Sequence, residues 1–309
     1  MNTSTVHPDW LTAKDWLEVF KNTIRKWNAA DPFRQSAVIA YYAIFSLPAL
    51  LLIVISVAGF FFGHEQVTHQ VLGTIYGYAG KDTADQVQVL LARSSLGGKH
   101  WYALIIGVVT TLTGAIGVFT ELQKSLNYIY EVAPQPKRKF LKTLRNDLFS
   151  LGLILSIGFL LLVSLVITAL LTAFAGWIGS RFTDLGTILL ECLNFGVSFV
   201  IITVLFALLF KILPDARIGW RHIWSGAGLT AFLFTIGKHA MGLYFGKFQP
   251  ASAYGVAGSI VLILLWVSYS SMILFFGAEF IKQLTLKRDG KIEPAPDAVV
   301  KNRPDGTPP

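Results

Sequence analysis

Six long apolar runs separated by short polar stretches dominate this chain: Ala37–Phe62, Trp101–Thr120, Leu148–Ala175, Thr187–Leu213, His222–Phe245 and Tyr254–Ile281. A helix rises about 1.5 Å per residue, so the ~30 Å hydrocarbon core of a bilayer takes about 20 apolar residues. Every run reaches that length. The third and fourth are the most continuous, while Gly and Thr dilute the second and fifth. The pattern predicts an all-α, polytopic membrane protein with six transmembrane helices. Several runs exceed the minimum, which allows tilt but fixes no angle.

Between the runs the pattern changes period. Leu17, Phe20, Ile24 and Trp27 recur at helical spacing over Thr12–Trp27, with Lys21, Arg25 and Lys26 between them. That spacing predicts an amphipathic helix lying on the cytoplasmic face of the membrane. In the longest external loop, Gly63–His100, the apolar positions Val67, Val71 and Ile75, then Val87 and Leu91, predict two short helices, the second capped by Asp82. The tail beyond Lys291 is rich in Pro, Asp and Lys and is expected to be disordered. The chain thus divides into an N-terminal cytoplasmic segment (1–35), a membrane domain (36–284) and a cytoplasmic tail (285–309).

Composition supports lipid as the main solvent. The 309 residues are 53% hydrophobic and 14% charged, against roughly 25% charged in soluble domains. The formal net charge of +8 raises nucleic acid as a partner, but the placement of the basic residues gives another explanation. Lys14, Lys21, Arg25, Lys26 and Arg34 precede the first run. Lys124, Lys137, Arg138, Lys139, Lys142 and Arg145 separate the second from the third. Arg217 and Arg221 follow the fourth, and Lys282, Lys287, Arg288 and Lys291 follow the sixth. The opposite loops are poor in such residues. Six spans with both termini cytoplasmic satisfy this alternation, whereas five or seven would leave a basic cluster outside. The polar N-terminus has no usual cleavable signal peptide, so the first run is expected to serve as the insertion signal. Cys192 is the only cysteine, which rules out a disulfide within the chain.

Candidate chemistry is sparse. "HEQVTH" (His64–His69) has one residue more than the zinc-protease spacing, so its histidines diverge by about 140° around a helix. "SLGGKH" (Ser95–His100) lacks the spacing of a phosphate loop. The acidic residues are dispersed, whereas nuclease chemistry needs carboxylates or histidines clustered around metal ions. The sequence therefore predicts no catalytic residues, no metal, no cofactor and no nucleic-acid partner. The spans are more informative. Pro48 should kink the first helix, below Tyr41, Tyr42 and Ser46. Gly107, Thr111, Gly114 and Gly117 form small-residue ridges suited to close helix contact. Glu191, Asn194 and Ser198 share a face of the fourth helix, and Lys238 falls at similar depth on the antiparallel fifth. A carboxylate within a span is costly unless paired or hydrated, so a Glu191–Lys238 pair is expected. It is either purely structural or part of a polar cavity open to the outer leaflet. "PASAYGVAGS" (Pro250–Ser259) leaves one face at the external end of the sixth span nearly bare. That face, at Tyr254 and Gly255, suits close packing or a cavity wall. The candidate cavity is lined by Tyr41, Ser46, Glu191, Asn194, Ser198, Lys238, Tyr254 and Gly255.

Four stretches together resemble the YihY/virulence factor BrkB family of bacterial inner-membrane proteins: "AYYAIFSLPALLL" (Ala40–Leu52), "LQKSLNYIYEV" (Leu122–Val132), "LPDARIGWRHIWSGA" (Leu213–Ala227) and "SAYGVAGSIVLILLWVSYSSMILFFGAEF" (Ser252–Phe280). The resemblance covers Asp31 to about Gln283 and is most specific at "GAEF" (Gly277–Phe280). It implies six helices and an inner-membrane location. Members once carried the name ribonuclease BN, generally regarded as a mistake, and the family brings no catalytic residues to this chain. What the resemblance implies is a transporter or lipid-handling protein, with membrane lipids as partners and an amphipathic or lipid-like substrate. The competing reading is a non-catalytic scaffold of the cell envelope.

Overall fold

The computed structural model describes residues 12–45, 63–79, 84–85, 88–89, 101–134, 184–248, 258–296 and 298–300. Seven helices carry most of them. They are α1 (Ala13–Ala29), α2 (32–45), α3 (His64–Ala79), α4 (Trp101–Ile129), α5 (Asp184–Ile212), α6 (Trp220–Phe248) and α7 (Gly258–Asp289). Four short strands lie near the helix ends: β1 (Val132–Pro134), β2 (Ala216–Arg217), β3 (Glu293–Pro294) and β4 (Ala298–Val300). The α5 residues Phe195–Ile212 and the α7 residues Ile260–Asp289 are long and apolar enough to cross a membrane. The helices α4, α5, α6 and α7 are 29, 29, 29 and 32 residues long, about 43 to 48 Å at the helical rise. The run Leu148–Ala175, the part of the first run beyond Phe45, and Asp82 lie outside the described residues.

Local sequence sets the ends of these helices. Thr12 caps α1: its hydroxyl accepts from the Asp15 N–H, while the Asp15 carboxylate accepts from the Thr12 N–H at 2.9 Å. This reciprocal box satisfies donors that the first turn would leave bare. At the other extreme α7 continues through Asp289 and stops at Gly290, whose φ is +74°. Glycine takes this left-handed conformation without steric cost, and the Gly290 N–H closes the last turn on Leu286 O at 3.1 Å.

The core is built where α4, α5, α6 and α7 converge. Leu126, Phe210, Ile223, Phe275 and Ile281 are buried there, with Ala207, Ala227, Ala231 and Ala278 allowing the helices to approach. Three glycines mark the closest crossings of α6 and α7. A methyl group at Gly226 would strike Ile281, one at Gly237 would strike the Tyr269 hydroxyl, and one at Gly277 would strike Thr230. Gly117 of α4 receives the Tyr42 ring of α2 in the same way, so one of the predicted small-residue positions is a packing contact. The outside is apolar as well, with Phe195, Val200, Phe232, Ile236, Leu243, Ile260 and Leu265 exposed.

One expectation is corrected. The tail from residue 285 is ordered as far as Val300, apart from Asp297, which lies outside the described residues. Residues 285–289 complete α7, whose Leu284 and Thr285 are buried. Beyond them β3 pairs antiparallel with β2 (Ala216 opposite Pro294), and β4 with β1 (Val132 opposite Val300). Ile292, Ala298, Val299 and Val300 give this polar tail enough apolar content to dock, and the strands also modify the all-α description. The amphipathic helix α1 also docks on α7 through part of its surface. Val19 and Thr23 are buried, Trp16 stacks on Phe280, and Phe20 and Trp27 meet Phe276 edge-on. Leu17 remains 71% exposed and Ile24 is exposed beside it.

Candidate functional site

The densest polar assembly among the described residues lies at the end of the core where α7 meets α1, the end of α4 and the strands. Glu279 and Lys282 sit three residues apart on α7, hence on one side of the helix. Both are buried, at 3% and 7% exposure. Lys282 Nζ donates to Glu131 Oε1 at 2.9 Å, joining residues 151 apart in sequence. Glu131 follows α4 in a left-handed conformation, φ +55°. Non-glycine residues seldom adopt it unless the surrounding structure holds them there. Here the turn reverses the chain into β1 and brings the carboxylate to Lys282.

Glu279 accepts a hydrogen bond from Gln283 Nε2 at 2.6 Å and lies within electrostatic reach of Lys282, Lys26 and Glu131. Next to Glu131, Tyr130 is buried, and its hydroxyl has no hydrogen-bond partner among the described residues. Burial, with the Glu279 charge adding to it, pushes the Tyr130 phenol above its ordinary range.

Distant segments are tied to the same end. Asn127 Nδ2 donates to Asp215 Oδ2 at 2.9 Å, and the Asp215 N–H donates to Asn127 Oδ1 at 2.8 Å. Lys211 Nζ donates to Ile218 O at 2.8 Å and lies over the Trp220 ring. Trp27 Nε1 donates to Met272 O at 3.2 Å. Lys287 bridges to Asp15 at 3.1 Å and Glu18 at 2.6 Å. Asp15 is held down to about 2 by its bonds from Thr12 and then by Lys287.

This is not the cavity expected from the spans. Tyr41 is exposed on α2, edge-on to Tyr42 at 5.6 Å and Phe45 at 5.3 Å. Ser198 on α5 and Lys238 on α6 are partly buried on helices that pack side by side. Ser46, Pro48, Tyr254, Gly255 and the side chains of Glu191 and Asn194 lie outside the described residues, as does the expected Glu191–Lys238 contact. Lys238 is twelve residues along α6 from Gly226, the residue packed on Ile281, or about 18 Å from the level of the charge cluster. His64 and His69 both fall on α3, and among the described residues no group of three His, Cys, Asp or Glu is placed to hold a metal ion. Sequence reasoning missed Tyr130, Glu131, Asn127, Asp215, Glu279 and Lys282. Lys282 was read only as a topological charge. The available signal was that all six fall in or beside the stretches carrying the family resemblance.

The virulence factor BrkB family model matches residues 23–302 of this chain, a range that takes in every member of the buried cluster. The chain belongs to the BrkB family. Among its relatives, a UPF0761 membrane protein of Tolumonas auensis is 30% identical over 58% of this chain and 57% of its own length. The ribonuclease-like protein YfkH of Bacillus subtilis is 25% identical over 88% of this chain and 96% of its own. A UPF0761 membrane protein of Pseudomonas aeruginosa is 26% identical over 86% and 62%. This chain therefore spans less than two thirds of the length of the Tolumonas and Pseudomonas proteins. No solved structure matches. Family and apolar helices together make this a membrane protein.

Proposed function

We propose that this BrkB-family protein is a non-enzymatic, multi-pass protein of the bacterial inner membrane, with six spans and both termini cytoplasmic, that handles an amphipathic or lipid-like substrate. The observation that carries the reading is an apolar exterior beside a small enclosed charge cluster. Phe195, Val200 and Leu243 are exposed, whereas Glu279 and Lys282 are buried. An apolar exterior suits acyl chains. Buried ionisable groups at the end of an apolar helix are expensive and point to function by default. An enclosed polar cluster at one end of an otherwise apolar bundle matches the two halves of an amphipathic molecule. Nuclease chemistry fits poorly, since a bulky polyanion would need open carboxylates and Glu279 is enclosed.

The test is native mass spectrometry of gently extracted protein, paired with reconstitution into vesicles carrying labelled lipid in one leaflet. Retained lipid and movement of label between leaflets are the expected results. A bare protein with no movement would leave the scaffold reading in its place. Reporter fusions at Gly80, Gly179 and Lys247 should score outside, and those at Pro136, Gly219 and Gly290 inside. One reporter on the wrong side breaks the topology.

A further inference from the structure

We infer that α1 is a docking site for anionic phospholipid, with acyl chains against its exposed apolar stripe and lipid phosphates on the basic flank beside it. Helical period alone gives an amphipathic helix, and the packed structure adds which of its groups remain for a ligand. Docking on α7 takes one side. Trp16 meets Phe280 at 6.2 Å, Phe20 and Trp27 meet Phe276 at 5.9 and 5.8 Å, and Trp27 Nε1 reaches Met272 O at 3.2 Å. These contacts step backward along α7 as α1 advances. The helix is therefore pinned antiparallel against the later turns of a helix long and apolar enough to cross a membrane. Leu17 and Ile24, seven residues apart with Phe20 between them, keep one continuous apolar stripe exposed beside those contacts.

The charges of α1 are sorted in the same way. Both of its acids are engaged by α7, with Lys287 Nζ at 3.1 Å from Asp15 and 2.6 Å from Glu18. Lys14, Lys21 and Arg25 fall on the flank about 40 to 80° around the helix from Leu17. All three are exposed, and among the described residues none is in an ion pair. Arg25 donates to the neutral Asn22 Oδ1 at 3.1 Å. An apolar stripe edged by cations complements acyl chains lying beneath phosphates. A second copy of the same face would set these cations against each other. A zwitterionic headgroup carries no net charge, so the flank favours headgroups with a net negative one. The inference is independent of the substrate reading, because the lipid is bound here and not moved.

The experiment is site-directed fluorescence quenching of the full chain in lipid nanodiscs. A fluorophore is attached at Leu17→Cys in a Cys192→Ser background. The discs carry equal amounts of phosphatidylglycerol and phosphatidylcholine, with an acyl-chain quencher on one lipid or the other. Quenching should be stronger from phosphatidylglycerol, and the excess should survive glycerophosphoglycerol, the same headgroup without chains. Lys14→Gln, Lys21→Gln and Arg25→Gln together should cut the preference by about fivefold for each cation removed. Amide exchange across α1 should stay native in that variant, which separates lost lipid from lost folding. Added salt should weaken the preference with no substitution on the flank. Equal quenching by both lipids overturns the inference, as does a preference that neither the triple variant nor salt reduces. So does an excess abolished by glycerophosphoglycerol, which would make this a site for free anions, or a label shielded from both lipids, which would put a second copy on the stripe.

Discussion

The α6–α7 crossing and the polar end of the bundle are held together in different ways. At the crossing, two helices nearly adjacent in sequence meet through glycines that receive Ile281, Tyr269 and Thr230. Nothing there is charged, and contact depends on shape. At the polar end, bonds join residues 88, 151, 245 and 269 positions apart: Asn127 with Asp215, Glu131 with Lys282, Trp27 with Met272, and Glu18 with Lys287. Lipid tails are as apolar as leucine, so the hydrophobic effect does little to choose between helix arrangements inside a bilayer. Close packing fixes how near two helices come, while directional bonds at the helix ends fix which segments meet and in what register. The difference implies that the crossing is intolerant of added volume and the polar end intolerant of removed partners.

The largest effect should come from the polar end. Lys282→Met leaves Glu279 enclosed and removes the ammonium bonded to Glu131. Breaking a buried pair this way costs about 3–5 kcal/mol, and the partial exposure of Glu131 puts the expected loss at the lower end, about 3 kcal/mol by thermal unfolding in detergent. Adding Glu279→Gln should recover part of it, and strictly additive losses would show that the two residues do not interact. At the crossing, Gly277→Ala gains about 1 kcal/mol of helix propensity. It also places a methyl against Thr230 and within 3.0 Å of Phe210. Overpacking costs about 1–3 kcal/mol, so a net loss of up to about 2 kcal/mol is expected. A stabilised Gly277→Ala variant would mean that the crossing has slack.

Smaller effects separate the outlying ties. Asn127→Ala removes two bonds to Asp215 and should cost about 1–2 kcal/mol, with faster amide exchange in β2 and β3. The capping of α1 gives the mildest signal, and that signal depends on pH. Asp15 has an ordinary value of 3.8 and is lowered to about 2 in the folded chain. Its contribution is therefore full above about pH 4 and is lost as pH falls from there through about 2. Hydrogen exchange in α1 should rise over that window, and Asp15→Asn should show the higher exchange already at neutral pH. A flat acid profile in the native protein would show that α1 is held by its aromatic contacts alone.

Several of these features were readable in advance. The spacing of Leu17, Phe20, Ile24 and Trp27 placed α1 correctly, because amphipathic period survives any later docking. It did not separate the docked side from the exposed one, since Trp16 and Phe20 find their partners on α7. Hydropathy ended the sixth span at Ile281, before the basic run that starts at Lys282, yet α7 runs eight residues further to Asp289. A charge marks the edge of the lipid, whereas a helix stops at its capping residue, and Gly290 is that residue. The ordered tail was missed for a similar reason. Composition averaged its Pro, Asp and Lys, while the short apolar pieces at Ile292 and Val299–Val300 needed only the exposed edges of β2 and β1 to dock.

The sequence by itself determined the membrane character, the helical period, the family and the capped ends, because each depends on neighbours within a few turns. The tertiary structure alone decided which charges are topological and which are enclosed. Lys282 belongs to a basic run like many others, and Glu279 to an apolar motif. Only the turn at Glu131, folded back from 151 residues away, makes one the partner of a half-buried acid, while the other is enclosed on the same side of α7. Enclosure depends on segments remote in sequence arriving at one place, and no local pattern encodes it.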